Sequence, residues 1–175
     1  MTLWEKIKES MLSNPTSTVS EKEAKMTYEE MVIFAEKFAK GLTSSCYGIL
    51  CNSELSCAMA LLSCFAAGAT AVPLSIRYGE KHCRKIIDKI GMPYIISDIY
   101  GELQTTDIDM GRYRKPLIKP ALIMCTSGTS GNPKGVMLGE KNILTNVGDI
   151  AEYFDVTEED TVLIARPLYH CAVLT

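Results

Sequence analysis

Positive charge is in short supply in this sequence, and so are paired cysteines and any uncharged leader-like run at its start. Lysine and arginine total 18 against 21 aspartates and glutamates, for a net charge of −3. That balance gives no reason to expect nucleic acid or acidic lipid as a partner. The only dense basic stretch, residues 112–119, reads as a solvated linker. The cysteine count is seven, an odd number with no Cys-x-x-Cys pair, which excludes a disulfide framework and points to a reducing, cytoplasmic compartment. Cys57 and Cys64 lie in an apolar helical pattern, as small core residues do. His82 stands beside Cys83, but no second ligand pair has metal-site spacing, so no metal is assigned to the chain itself. Glu5, Lys6, Lys8 and Glu9 fall within the first residues, so no signal peptide is expected. Leu55–Ile76 holds 22 residues without a charge, long enough for a membrane span. Gly68 and Pro73 divide it, so the expectation is a buried helix followed by a buried strand, with no membrane span.

What is present is enough for one domain with a core: 175 residues, 47% of them apolar and 22% charged. Leu3, Ile7, Met11 and Leu12 predict a short amphipathic helix ending before Asn14-Pro15. Thr18–Met26 predicts a small hairpin. Thr27-Tyr-Glu-Glu30 matches a capping box, with Met31, Phe34, Ala35, Phe38 and Leu42 on one face of a helix over 28–43. Strand and helix then alternate: a strand at Tyr47–Cys51, a helix over Glu54–Ala67 capped by Asn52-Ser53, a strand at Ala69–Leu74, a helix over Glu80–Ile90 ended by Gly91, and a strand at Tyr94–Ser97. This order implies βαβ units and a mostly parallel sheet flanked by helices, an α/β fold. Residues 101–119 have no clear period and read as a connecting loop. Further strands are expected at Ala121–Cys125, Gly135–Leu138 and Asp160–Ala165. Between the last two lies a helix over Lys141–Phe154, with Ile143, Leu144, Val147, Ile150, Ala151 and Phe154 on one face. The regions divide as 1–25, 26–100, a linker at 101–120, and 121–175. The sequence ends within an apolar run (Ala172–Leu174), which is unlike the close of a complete domain.

Between the strands at 121–125 and 135–138 runs Thr126-Ser-Gly-Thr-Ser-Gly-Asn-Pro-Lys134. Thr126, Ser127, Thr129 and Ser130 offer hydroxyls, Gly128, Gly131 and Gly135 let backbone N–H groups converge on one anion, and Lys134 adds a positive charge. The pattern reads as a phosphate cradle. It is not a Walker loop: counting GxxxxGK from Gly128 puts Pro133 at the second glycine, and the segment runs from strand to strand instead of opening a helix. It is not a serine-hydrolase elbow either, because neither Ser127 nor Ser130 has glycines two residues away on both sides.

Thr126–Gly135 resembles the phosphate-loop signature of the adenylate-forming superfamily, which comprises acyl-CoA synthetases, peptide-synthetase adenylation domains and luciferases. Weaker likenesses support it in the same order along the chain. Met26–Glu30 is similar to the family's early TY-x-E-L helix start, Cys51–Glu54 with Ala67–Leu74 to its first strand–helix–strand unit, and Pro167-Leu-Tyr-His170 to its P-x-[FY]-H segment. The resemblance covers about residue 26 to the end. Gly139 and Glu140 stand where the family has threonine or serine and then histidine, and Cys125 where it often has an aromatic residue; these read as subfamily variation.

The resemblance implies attack of a carboxylic acid substrate on the α-phosphate of ATP, giving an acyl-adenylate that coenzyme A or a carrier pantetheine then takes as a thioester. It implies that Thr126, Ser127, Gly128, Thr129, Ser130 and Gly131 hold the β- and γ-phosphates and that Lys134 neutralises them. His170 would lie near the carboxylate pocket, or serve as a half-buried structural histidine; Arg166 is expected to be structural. The family's adenine-site segment with its Mg2+-binding glutamate, its ribose-binding aspartate, hinge and lid lysine have no counterpart within 1–175. The expected identity is therefore an incomplete N-terminal portion of an acyl- or aryl-CoA ligase, inactive by itself and self-associating through an uncovered face. A non-catalytic folded module and a piece of an amino-acid-activating adenylation domain are the alternatives. Pro167–Thr175 contains no aspartate to pair with a substrate ammonium, which favours a plain carboxylic acid.

Overall fold

The fold follows from two periodicities, one of strands buried on both faces and one of helices buried on a single stripe. In the computed structural model, residues 1–75, 77, 79–108, 119–126 and 133–170 are described. The elements run α1 (Leu3–Ser13), β1 (Thr18–Glu21), β2 (Ala24–Thr27), α2 (Tyr28–Ala39), β3 (Cys46–Ile49), α3 (Glu54–Ala66), β4 (Thr70–Pro73), α4 (Glu80–Ile90), β5 (Tyr94–Ile99), β6 (Glu102–Asp107), β7 (Leu122–Thr126), β8 (Lys134–Leu138) and α5 (Glu140–Tyr153). β1 and β2 form a separate antiparallel hairpin, and the other strands form one six-stranded sheet in the order β6-β5-β3-β4-β7-β8. The inner four are parallel to one another, and the two outer strands are antiparallel to their neighbours. Helices flank this mixed sheet, an α/β architecture as expected.

Every residue of β3 and β4 is buried, the mark of strands covered on both faces. Their side chains alternate between two cores. Tyr47, Ile49, Ala71, Ile96, Leu122 and Met124 face α3, which contributes Cys57, Ala60, Leu61 and Cys64. Cys46, Val72, Ile95 and Ile123 face α4, which contributes Cys83 and Ile86. Gly48 lies where a Cβ would collide with the end of the Ile95 side chain and press on Met92 and Leu74, so a larger residue there would force those side chains to repack. The uncharged run at 55–76 is the predicted buried helix and strand. Among the described residues no helix is long and apolar enough to cross a membrane.

Local chemistry sets the helix ends. The Thr27 hydroxyl accepts from the Glu30 N–H at 3.2 Å while the Thr27 N–H donates to the Glu30 carboxylate at 2.7 Å, the predicted capping box. A second capping box, Thr2 with Glu5, starts α1. The Ser53 hydroxyl caps α3, and Gly91 closes α4 in the left-handed conformation at φ 72°.

Four expectations need correction. Residues 102–107 are not loop but β6, joined to β5 by Tyr100 and Gly101, both at positive φ (52° and 84°). Two such residues make the tight hairpin turn that matches strand twist. β6 escaped detection because it is an edge strand whose side chains are exposed apart from Leu103, so it carries no apolar alternation. Asp160–Ala165, read as a strand, pairs with nothing among the described residues and is exposed, with Leu163 at 87%. The stripe on α5 is real, but only Ile143 is buried, while Val147, Ile150 and Phe154 face outward. α2 stops at Ala39 instead of 43, with Gly41 following its cap.

Candidate functional site

The inner strands point their carboxyl ends to one edge, where open α/β sheets bind ligands. Two predicted segments reach that edge. At the end of β7 the chain enters the loop and returns as β8, and at the end of β3 it enters α3.

β7 and β8 pair antiparallel with Cys125 opposite Gly135 and Thr126 opposite Lys134, so Thr126 and Lys134 stand at the mouth of the hairpin. Both are exposed. Among the described residues the Thr126 hydroxyl makes one long contact, to the Lys134 carbonyl at 3.5 Å, which is weak enough to yield to another acceptor. Ser127, Gly128, Thr129, Ser130 and Gly131 lie outside the described residues. Gly135, read as a bending residue of the loop, belongs to β8; a Cβ there would approach the Ile123 Cγ2 to 2.9 Å, so its role is close packing. The helix that follows starts at Glu140, as the strand-to-strand reading required. Glu140 also accepts from the Leu3 N–H at 3.2 Å, which ties α1 to α5.

Two residues lie below the mouth: Cys125, noted in the sequence only as a departure from the family's aromatic position, and Lys89, which gave no sequence signal. Burial pushes the Cys125 thiol up to about 11, with Cys83 adding to the rise and Lys89 opposing it, so this thiol stays protonated at neutral pH. Lys89 Nζ donates to the Pro133 carbonyl at 2.7 Å. A lysine in the last turn of a helix gives no sequence signal of a partner on a distant hairpin. The other cysteines behave as core residues: Cys46, Cys57, Cys64 and Cys83 are buried, and desolvation raises the Cys51 thiol to about 12. Cys171 lies outside the described residues.

The Pro167–His170 segment is a turn in which the His170 N–H donates to the Pro167 carbonyl at 2.9 Å. Leu168 is buried in the α3-side core, His170 is half-buried, and Arg166 is exposed just before the turn. The turn is fastened by the Leu168 N–H, which donates to Glu54 at 2.8 Å, in the first turn of α3. That helix start gathers two further carboxylates. Asp98 accepts from the N–H groups of Asn52 (2.7 Å) and Ser53 (3.0 Å), and Glu21 accepts from the Ser53 hydroxyl (2.6 Å) and the Leu55 N–H (2.9 Å). Burial works against both charges, but these donors outweigh it and hold Glu21 and Asp98 below the usual carboxylate range. Anionic side chains suit a helix N-terminus. The structure thus brings Thr126 and Lys134 together, and fixes His170 at the same sheet edge on a separate support, with β4 between β3 and β7.

The chemistry of Thr126 and Lys134, an exposed hydroxyl and an exposed ammonium side by side, fits an anion with several oxygens. Among the described residues no group of three or more His, Cys, Asp and Glu is arranged to hold a metal ion.

The chain matches the family model described as AMP-binding enzyme over residues 8–175. It is 29% identical over 132 residues to a feruloyl-CoA synthase of Amycolatopsis sp., covering 65% of this chain and 27% of that protein. It is 29% identical over 147 residues to bacitracin synthase 1 of Bacillus licheniformis, covering 79% of this chain and 3% of that protein. The fold is shared with the O-succinylbenzoate coenzyme A synthetase of Bacillus subtilis, solved in complex with ATP and a magnesium ion. That comparison has a TM-score of 0.77 and 22% identity and covers 98% of this chain and 52% of that one. The chain therefore spans about half or less of the relatives it matches.

Proposed function

The chain belongs to the AMP-binding enzyme family, and from that premise we propose that it is the phosphate-holding part of an ATP-dependent acid–thiol ligase. The observation that carries this reading is the placement of Thr126 opposite Lys134 at the mouth of the β7–β8 hairpin. The reaction joins a substrate carboxylate to the α-phosphate of ATP with loss of pyrophosphate, and a thiol of coenzyme A or a carrier pantetheine then displaces AMP. Negative charge collects on phosphate oxygens in the first step. Donors already in place stabilise it without reorganising. Lys134 brings a mobile point charge to the β- and γ-phosphates. Thr126 donates through its hydroxyl, and the composition of Ser127–Gly131 offers further hydroxyls and glycine N–H groups for the same anion. His170 is assigned to the carboxylate end of the site, and the hydrogen bond from the Leu168 N–H to Glu54 fastens the turn that carries it. Magnesium bound with ATP would shield the phosphates, and its protein ligand is expected outside residues 1–175.

Among carboxylic acids, a plain fatty or aryl acid is favoured over an amino acid, because Pro167–Thr175 supplies no aspartate for a desolvated ammonium. Calorimetry with ATP and with pyrophosphate tests the phosphate reading. Both are expected to bind the 175-residue chain, and Lys134→Met is expected to weaken both by about tenfold, the loss of one charge-assisted contact. Binding of neither ligand, or no change in the variant, overturns it. No acyl-adenylate should form on these residues alone.

The uncovered apolar surface supports a further part of the same reading. Val136 and Met137 of β8, Val147 and Phe154 of α5, and Val162 and Leu163 are all exposed. A polypeptide limited to residues 1–175 self-associates through them, and a monomer at all concentrations in light scattering would contradict this.

A further inference from the structure

Lys89 sits in the last turn of α4, where a cation suits the free carbonyls of a helix end. Its ammonium reaches instead to the hairpin and donates to the Pro133 carbonyl, 44 residues further along the chain. Pro133 is buried and has no N–H, so this carbonyl is its only backbone polar group. A buried carbonyl without a donor is costly, and the lysine supplies the donor. Among the described residues Lys89 forms no salt bridge, so its charge is not cancelled beside the hairpin. The same charge acts on the neighbouring Cys125 thiol.

Pro133 directly precedes Lys134, and the peptide unit between them is planar. Fixing the Pro133 carbonyl therefore fixes the plane from which the Lys134 backbone departs. The next peptide is constrained from the other side by the pairing of Lys134 with Thr126. We infer that Lys89 is a positioning residue of the phosphate loop: it locks the peptide plane that enters Lys134, so that the Lys134 ammonium is presented at the hairpin mouth to a polyphosphate. This rests on the phosphate-holding reading proposed above.

The test uses the whole chain, inorganic tripolyphosphate as the probe, and two variants, Lys89→Met and Lys89→Arg. Tripolyphosphate affinity is read by calorimetry, and the freedom of the hairpin mouth by the rate of tryptic cleavage after Lys134, which needs no ligand. Lys89→Met is expected to weaken tripolyphosphate binding about tenfold, while Lys89→Arg, which still donates to the carbonyl, stays within about threefold of the unaltered chain. Cleavage after Lys134 should rise severalfold in Lys89→Met and not in Lys89→Arg. Affinity lost without faster cleavage would make Lys89 a direct ligand contact and overturn the positioning role, as would faster cleavage with unchanged affinity. If the unaltered chain itself binds no tripolyphosphate, the phosphate reading fails, and the cleavage rates alone decide the present inference: an unchanged rate in Lys89→Met overturns it.

Discussion

The β3–α3–β4–α4 half and the β7–β8–α5 half of this sheet are built from similarly apolar sequence yet end in opposite states. In the first, both faces of the strands are covered and Ile49, Ala60, Cys64, Ala71 and Val72 are completely buried. In the second, β7 is covered, but β8 is exposed along four of its five residues and α5 buries only Ile143. An apolar stripe states that a face needs a cover; it does not say that the cover is within reach. The covered half carries the stability, and the uncovered half carries the candidate site.

That division predicts a steep gradient of mutational cost. Ile49→Ala, in the fully packed half, should cost about 3 kcal/mol in denaturant unfolding, from lost burial and an unfilled cavity. The acid limb of the stability curve comes next. Asp98 and Glu21 have folded pKa values below their unfolded ones, so their stabilisation is complete above about pH 4 and is lost as pH falls through the unfolded value toward the folded one. Asp98→Asn should therefore destabilise the chain at neutral pH and flatten the loss between pH 5 and 2; an unchanged acid limb would show that the start of α3 is not held by this charge. Thr27→Ala removes one half of a capping box and should cost about 1 kcal/mol at any pH between 6 and 8. Smallest is Leu163→Ser in the uncovered half, expected to shift stability by less than about 0.5 kcal/mol. Its effect should appear in light scattering instead, as weaker self-association. A Leu163→Ser cost that matched Ile49→Ala would erase the contrast between the halves.

Both halves were legible as elements: β7, β8 and α5 lie within one residue of their expected bounds, and what did not show was how little of β8 and α5 is covered. α4 and the Thr27 capping box were readable to the residue, and the strands β3, β4 and β5 within one or two, because burial on both faces imposes apolar runs bounded by Gly, Pro and capping residues. β6 was not readable, since an exposed edge strand has no reason to alternate and its turn is Tyr100-Gly101 instead of the usual Asn-Gly. The 160–165 run failed in the opposite way: strand-forming residues are present, but a strand needs a neighbour to complete its hydrogen bonds. At the site, the loop's composition identified Thr126 and Lys134, which the hairpin register then placed face to face. Glu21, Asp98 and Lys89 were invisible because each acts on a residue more than thirty positions away, and no local pattern encodes such a partner.

β6 gives the sheet an edge of Glu102, Gln104, Thr105, Thr106 and Asp107, polar side chains that discourage a further strand, whereas β8 presents Val136 and Met137. Growth of the sheet is thereby one-sided. For the self-association proposed above, this asymmetry favours β8 against β8, the pairing that leaves the polar β6 edges outward. The turn at Tyr100-Gly101 thus sets the polarity of the sheet's two edges: by folding a polar strand back onto β5, it closes that side to further strands.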